Sequence, residues 1–307
     1  MPDLTQILNE IKHFEDEGSS IDKVRRKYIK NFSELRGRNT IVYYSGWLQN
    51  PNLPESSISD MDIDGFMTNL HQMDKNKGLD LILHTPGGDI AATENIVNYL
   101  REYFSCDIEA FVPQIAMSAG TMLACSCRKI HMGKQSSLGP IDPQFYVPNI
   151  GHVPALGIIE ERDRGIQEIA QNPASQFFWA HIFQKYTPTL LEKCEKAIAW
   201  SEEITTNWLQ DCMFKDLPED QARERAKGVV DKIASHKETK SHSRHLSAQK
   251  CKEIGLIIEN LEDNQEVQDA VLSVHHACMA TLQNPSVIKI IENQSEKIFI
   301  TRVATAD

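Results

Sequence analysis

Hydrophobic positions switch between two periods along the first half of the chain, and the switches mark strands alternating with helices. Thr40-Ile41-Val42-Tyr43-Tyr44 is a β-branched and aromatic run bounded by Arg-Asn and Ser-Gly, which predicts a strand. From Asp60 to Met73 the apolar positions Met61, Ile63, Phe66, Met67 and Leu70 fall on one helical face. Leu81-Ile82-Leu83-His84 then predicts a buried strand that ends in Thr85-Pro86-Gly87-Gly88. Ala92, Ile96, Tyr99, Leu100 and Tyr103 make the next amphipathic helix. Ile108 to Ile115 is a strand interrupted at Pro113, Ser118 to Ala124 a short helix of small residues, and Lys129 to Met132 another strand. Strands and helices alternating at this spacing are βαβ units, so the expected fold class is α/β with a mainly parallel sheet.

The flanks differ from this series. Residues 1–35 are polar with helical spacing (Leu4, Ile7, Leu8, Ile11, Ile21, Val24, Tyr28), which predicts a helical arm. The second half is mostly helical. Thr189 to Met213 is one long helix with Leu190, Cys194, Ala197, Ile198, Ile204, Trp208 and Cys212 along a face. Pro218 to Ile233 and Ser247 to Ile254 follow, the latter stopped by Gly255 as a C-cap. Val287 to Ile291 and Ile298 to Thr301, joined through Asn293-Gln294-Ser295, read as a terminal hairpin. No repeat or low-complexity linker divides the chain. The expected organisation is an arm over 1–35, an α/β domain over 36–262, and a C-terminal helix and hairpin over 263–307.

Composition narrows the function classes. With 32 basic against 43 acidic residues the net charge is −11, which disfavours nucleic acid and anionic membranes as partners. No stretch reaches the roughly 20 apolar residues of a membrane span. The N-terminal Met1-Pro2-Asp3-Leu4 lacks the basic-then-apolar order of a signal peptide. Seven scattered cysteines suit a reducing compartment better than a disulfide framework. A soluble cytoplasmic protein is expected.

Two segments carry candidate chemistry. In Thr85-Pro86-Gly87-Gly88-Asp89, two glycines let the backbone turn sharply between strand and helix and bring bare N–H groups to a ligand. Alone, such a segment is equally a tight turn. In Ala116-Met117-Ser118-Ala119-Gly120-Thr121, a serine stands at a strand-to-helix junction among residues too small to shield it. Alone, it is an ordinary N-cap. The pair is more specific than either part. Ser118 follows Gly88 by 30 residues, one βαβ step, which brings both to the same edge of adjacent parallel strands, where open α/β sheets place their sites.

Leu-His-Thr-Pro-Gly-Gly followed by Met-Ser-Ala-Gly-Thr resembles the oxyanion and nucleophile segments of Clp-protease/crotonase-fold serine peptidases. The resemblance is nearest to the signal peptide peptidase A group and the serine dehydrogenase proteinases. Ser136-Ser137-Leu138-Gly139-Pro140-Ile141-Asp142-Pro143 and Ser241-His242-Ser243-Arg244-His245-Leu246-Ser247 resemble the latter subgroup in particular. It covers roughly residues 40–260 and implies stacked βαβ units, a serine nucleophile at Ser118, and oxyanion N–H groups from Gly88, with Gly87, and Ala119. It also implies a peptide or protein substrate, no cofactor and no metal. A homo-oligomer is expected on the same ground. Without a Walker loop, ATP-driven unfolding of a substrate would come from a partner ATPase or adaptor.

The base is the open position. Clp proteases place a histidine after the strand that follows the nucleophile helix, but here that stretch is Leu138-Gly139-Pro140-Ile141-Asp142, without histidine. Signal peptide peptidases use a lysine, and Lys185, just before the long helix at Thr189, is the matching candidate. Such a lysine must be buried enough to lose its proton. After it come His242, His245 and Asp142, in that order. His236, His242 and His245 otherwise lie in a polar connector with Lys237, Lys240 and Arg244, most simply a solvated loop whose cationic groups could hold a substrate carboxylate. Cys125 and Cys127 read as core thiols, and His131 as a packed or surface imidazole. The sequence therefore points to a serine peptidase acting through a Ser118 acyl-enzyme, with Lys185 as base. An inactive scaffold of the same fold and a crotonase-like acyl-thioester enzyme are the alternatives.

Overall fold

A computed structural model describes residues 4–13, 20–51, 53–147, 151–235 and 239–303. The strands are β1 (Asn39–Ser45), β2 (Leu79–His84), β3 (Ile108–Val112), β4 (Ile115–Ala116), β5 (Lys129–Met132), β6 (Ser137–Leu138), β7 (Gln144–Val147), β8 (Gly151–Pro154), β9 (Leu246–Ser247), β10 (Ile258–Asn260), β11 (Val287–Asn293) and β12 (Ile298–Arg302). The α-helices are α1 (Leu4–His13), α2 (Ser20–Arg36), α3 (Asp62–Leu70), α4 (Ile90–Phe104), α5 (Ala119–Cys125), α6 (Ala155–Gln171), α7 (Gln176–Phe183), α8 (Pro188–Trp208), α9 (Glu219–Ile233), α10 (Ala248–Ile254) and α11 (Gln265–Leu282).

Seven strands form the main sheet in the order β10-β5-β3-β2-β1-β11-β12. The five from β10 to β1 run parallel, and β11 and β12 close the other edge antiparallel. Both faces are covered, as a parallel sheet requires. Ile41, Tyr43, Leu81, Leu83, Ala110 and Val112 pack on one side with α3, α4, α5 and α9. Val42, Tyr44, Ile82, Phe111 and Ile290 point to the other, where α2 and α11 cover them. Strand alternation thus builds two cores from one run of residues.

The C-terminal hairpin is part of the main sheet rather than a separate appendage, because β11 pairs with β1 over Ile41 to Ser45. The helical segment at the N-terminus is likewise packed. Ile7 and Val24 meet Ala277 of α11. Arg25, fully buried, pairs with buried Glu292 of β11 and donates to Thr281 Oγ1 at 2.8 Å. Strand β1, helices α4, α5 and α9, and the left-handed cap at Gly255 (φ 119°) form where the sequence pattern places them. The long helix is α-helical from Pro188 to Trp208 and ends in a π-helical turn over Leu209–Met213. Helices α6 and α7 and the β7-β8 hairpin were not legible in the pattern. Among the described residues, no helix is long and apolar enough to cross a membrane.

Candidate active site

The carboxyl ends of β2 and β3 lie side by side, and the chain leaves each by a strained turn. After β2 the turn runs through Gly87 (φ 93°) and Gly88 (φ 156°) into α4, whose first turn Asp89 caps by accepting from the Ala92 N–H at 2.8 Å. A side chain at Gly87 would lie 2.5 Å from the Met117 carbonyl oxygen and 2.8 Å from both the Ala119 nitrogen and Ser118 Cβ. Only glycine lets the two turns approach this closely. After β3, the short strand β4 pairs Ala116 with Thr85, and the chain turns through Ser118 into α5.

Ser118 has φ 52° and ψ −121°, a region that a non-glycine residue occupies only when its surroundings impose it. Although it stands at the N-cap position of α5, its side chain makes no capping bond. The hydroxyl is therefore not consumed in ending the helix. It faces a cleft of about 1080 Å3 whose wall also contains Gly87, Gly88, Ala119 and His242.

Two amides of residues that line this cleft are left without an acceptor among the described residues. Ile58 donates to the Gly87 carbonyl at 2.8 Å and accepts from the Asp89 N–H at 2.9 Å, so the intervening Gly88 N–H faces away from Ile58. Ala119 is the first residue of α5 and has no preceding turn to bond. Among the described residues neither N–H donates to a protein acceptor. The Gly87 N–H, by contrast, already donates to Thr85 Oγ1 at 3.2 Å. Of the sequence candidates, Gly88 and Ala119 hold free donors, while Gly87 supplies the turn.

His242 enters from the turn before β9. Its Nδ1 lies 2.8 Å from Oδ1 of Asp142, whose side chain is buried. The other carboxylate oxygen accepts from Gln144 Nε2 at 2.7 Å. With Nδ1 engaged as donor to a carboxylate, Nε2 is the nitrogen free to accept a proton. The Ser118 hydroxyl has no hydrogen-bond partner among the described residues, so serine and imidazole share the cleft without touching. Catalytic hydrogen bonds commonly tighten only when substrate binds.

Lys185 lies elsewhere. It is solvent-exposed in the turn after α7 and is not among the cleft's lining residues. The burial that a neutral lysine base requires is not found there. His242, the candidate ranked next after Lys185, is the one that lines the same cleft as Ser118. Asp142, from the stretch that lacked a histidine, orients it. The signal for this pair was weak because a histidine in Ser-His-Ser-Arg-His looks like a solvated loop. A carboxylate set in Gly-Pro-Ile-Asp-Pro was the more telling residue, since its neighbours are built for burial. His245 instead contacts Ser137 Oγ at 2.8 Å, and His236 and Lys237 lie outside the described residues.

Other sequence candidates take structural positions. His131 is buried against Phe111, ring centroids 4.0 Å apart, and meets Glu109 at 2.6 Å. Burial works against ionisation of Glu109, but His131 and Arg128 outweigh it and hold the carboxyl well below its usual range. Cys125, the last residue of α5, and Cys127 just after it are buried in the core, and burial pushes both thiols up, Cys127 to about 12.

The rest of the cleft is largely apolar. Trp47, Ile58, Ile90, Met122, Ile141, Phe145 and Trp200 contribute to its walls.

Comparison with known proteins bears on this arrangement. Over 178 residues the chain is 32% identical to an uncharacterized protein of Methanocaldococcus jannaschii, covering 58% of this chain and 51% of that one. A second uncharacterized protein of the same organism is 28% identical over 185 residues, covering 60% and 54%. The chain thus spans about half the length of the curated relatives it matches. A solved structure of a mutant of the 1510-N membrane-bound stomatin-specific protease aligns over 70% of this chain and 79% of that one, with 16% identity and a TM-score of 0.40. The sequence pattern that defines the ClpP-like SDH-type serine proteinases matches residues 23–297, nearly the whole described chain, and the protein belongs to that family.

Proposed function

We propose that the protein is a serine peptidase that cleaves peptide bonds through a Ser118 acyl-enzyme, with His242 as general base and Asp142 as its orienting carboxylate. The observation that carries this reading is the meeting of three chain segments at one cleft. Ser118 is held in a strained turn with its hydroxyl free, the Gly88 and Ala119 amides face the same space, and an imidazole fixed by a buried carboxylate opens onto it. Ser118 Oγ attacks the substrate carbonyl as its proton passes to His242 Nε2. The oxyanion is held by the two N–H groups, and the amine leaves with the proton from Nε2. Water then enters along the same path and hydrolyses the ester. Asp142 holds Nδ1–H as donor throughout, so that Nε2 alone exchanges the proton.

His242 takes the role that resemblance assigned to Lys185, because His242 lines the cleft that holds Ser118 whereas Lys185 is exposed and does not. The apolar cleft suits an extended peptide or an unfolded protein segment rather than a charged small molecule. Exposed Phe177, Phe178 and Ile166 on α6 and α7 supply an uncovered apolar surface that fits assembly into a homo-oligomer. Delivery of substrate by a partner ATPase or adaptor belongs to the same proposal.

A fluorophosphonate probe tests the reading without knowledge of the substrate. The wild type should be labelled at Ser118 and the Ser118→Ala and His242→Ala variants should not, while Lys185→Met should label like the wild type. Labelling abolished by Lys185→Met but retained by His242→Ala would return the role to the lysine. Silence of the folded wild type would favour an inactive scaffold, and acyl-thioester turnover a crotonase-like enzyme.

A further inference from the structure

We propose that Cys106 and Cys212 form a reversible disulfide, a redox-modification site that ties the turn after α4 to the end of α8. The two thiols come from segments 106 positions apart, and each lies against a backbone carbonyl of the other's segment. Cys106 Sγ lies 3.2 Å from the Asp211 carbonyl oxygen, and Cys212 Sγ lies 3.6 Å from the carbonyl oxygen of Cys106. This pairing is separate from the serine site and does not depend on its chemistry.

The surroundings divide the labour between the two sulfurs. Cys106 is half-buried, so a small oxidant can reach it, whereas Cys212 is buried. The neighbouring Cys212 side chain, with Arg101 and Lys215, lowers the Cys106 thiol to about 6, against burial and Asp211. The Cys106 side chain and burial push the Cys212 thiol up. Cys106 is thus the attacking thiolate and Cys212 the resolving thiol. Cys125, Cys127, Cys251 and Cys278 are buried, with thiols pushed up by burial, and do not compete.

With hydrogen peroxide as oxidant the chemistry closes. The Cys106 thiolate attacks one peroxide oxygen, the S–O bond forms, the O–O bond breaks, and the departing hydroxide takes up a proton as water. Cys212 Sγ then attacks Cys106 Sγ, the S–S bond forms, the S–O bond breaks, and the leaving hydroxide carries off the Cys212 proton as a second water. Two thiols are oxidised and one peroxide is reduced.

The cross-link would act where flexibility matters. Cys212 lies in the π-helical turn that ends α8, a distortion common at functional positions. Helix α8 brings Ala197 and Trp200 to the wall of the cleft. Joining its end to the turn after α4 would fix that wall in place.

The test uses the full-length protein, reduced and then treated with a small excess of hydrogen peroxide. Free thiols are alkylated and the unreduced digest is read by mass spectrometry. The expected result is one linked peptide pair, Cys106 to Cys212, that dithiothreitol dissolves. In Cys212→Ser the reaction should stop at a Cys106 sulfenic acid that dimedone traps. A trapped sulfenic acid persisting in the wild type with no linked pair, or a link from Cys106 to Cys127 instead, would overturn the proposal.

Discussion

Replacing Asp142 by asparagine removes one charge and one acceptor while leaving the shape of the site, which isolates the carboxylate's role. In the native arrangement each of its oxygens accepts one donor, His242 Nδ1 at 2.8 Å and Gln144 Nε2 at 2.7 Å. Asparagine has a single oxygen and can satisfy only one of them. Gln144 Nε2 also lies 3.5 Å from the Asp142 carbonyl oxygen, so rotating the Gln144 amide would set two oxygens against each other. The asparagine oxygen should therefore turn to Gln144 and its amide N–H to Nδ1. His242 must then accept at Nδ1 and carry its proton on Nε2, where it cannot take the proton of Ser118. Loss through the wrong tautomer is about 10⁴-fold in a serine triad, equivalent to about 5.4 kcal/mol at 1.36 kcal/mol per decade. Removing the competing donor should reverse much of this. In Asp142→Asn/Gln144→Leu the asparagine oxygen is free to face Nδ1, and labelling should recover at least about tenfold, a coupling that independent sites would not show. The assay is the second-order rate of Ser118 labelling by a fluorophosphonate, with circular dichroism to confirm native folding. A single mutant labelled at the wild-type rate, or a double mutant no faster than the single one, would refute the tautomer argument.

Gly87→Ala should abolish labelling and lower Tm, since the new Cβ would meet the Met117 carbonyl and the Ala119 nitrogen in a left-handed conformation costing about 1–3 kcal/mol in strain alone. Gly88→Val should act through the fold rather than by filling the oxyanion pocket, because its Cβ would overlap the Ile58 backbone; a folded variant with wild-type labelling would contradict this. Glu109→Gln should cost stability at neutral pH. The native pKa lies below the ordinary 4.5, so that stabilisation is present above about pH 4.5 and fades as pH falls. Urea midpoints of the two proteins should accordingly converge on acidification, and a gap that stays constant would count against the ion cluster. Sedimentation should show a homo-oligomer that Phe177→Ser/Phe178→Ser weakens, and a strict monomer at micromolar concentration would rule out assembly through this surface.

Much of this protein is written in local sequence. Alternation in Ile41-Val42-Tyr43-Tyr44 and Leu81-Ile82-Leu83-His84 determines strands buried on both faces, because a pleated strand sends neighbouring side chains to opposite sides. The Gly-Gly turn and the serine one βαβ step later determine where the site lies, because a right-handed crossover returns parallel strands to the same edge. The β7-β8 hairpin is too short to show such a period, and α7 is apolar along most of its length. Residues of β7, β8, α6 and α8 pack instead into a small cluster of their own. The sequence by itself could not choose the base either. Lys185 and His242 both sit in polar stretches, 67 and 124 residues beyond Ser118, and nothing local distinguishes them. What favours His242 in the proposed mechanism is tertiary: Asp142 is buried, where a carboxylate needs a donor, and the 241–244 turn brings His242 Nδ1 within 2.8 Å of it. Periodicity specifies which face a residue occupies, but only the closed fold sets which distant residue a buried charge will meet.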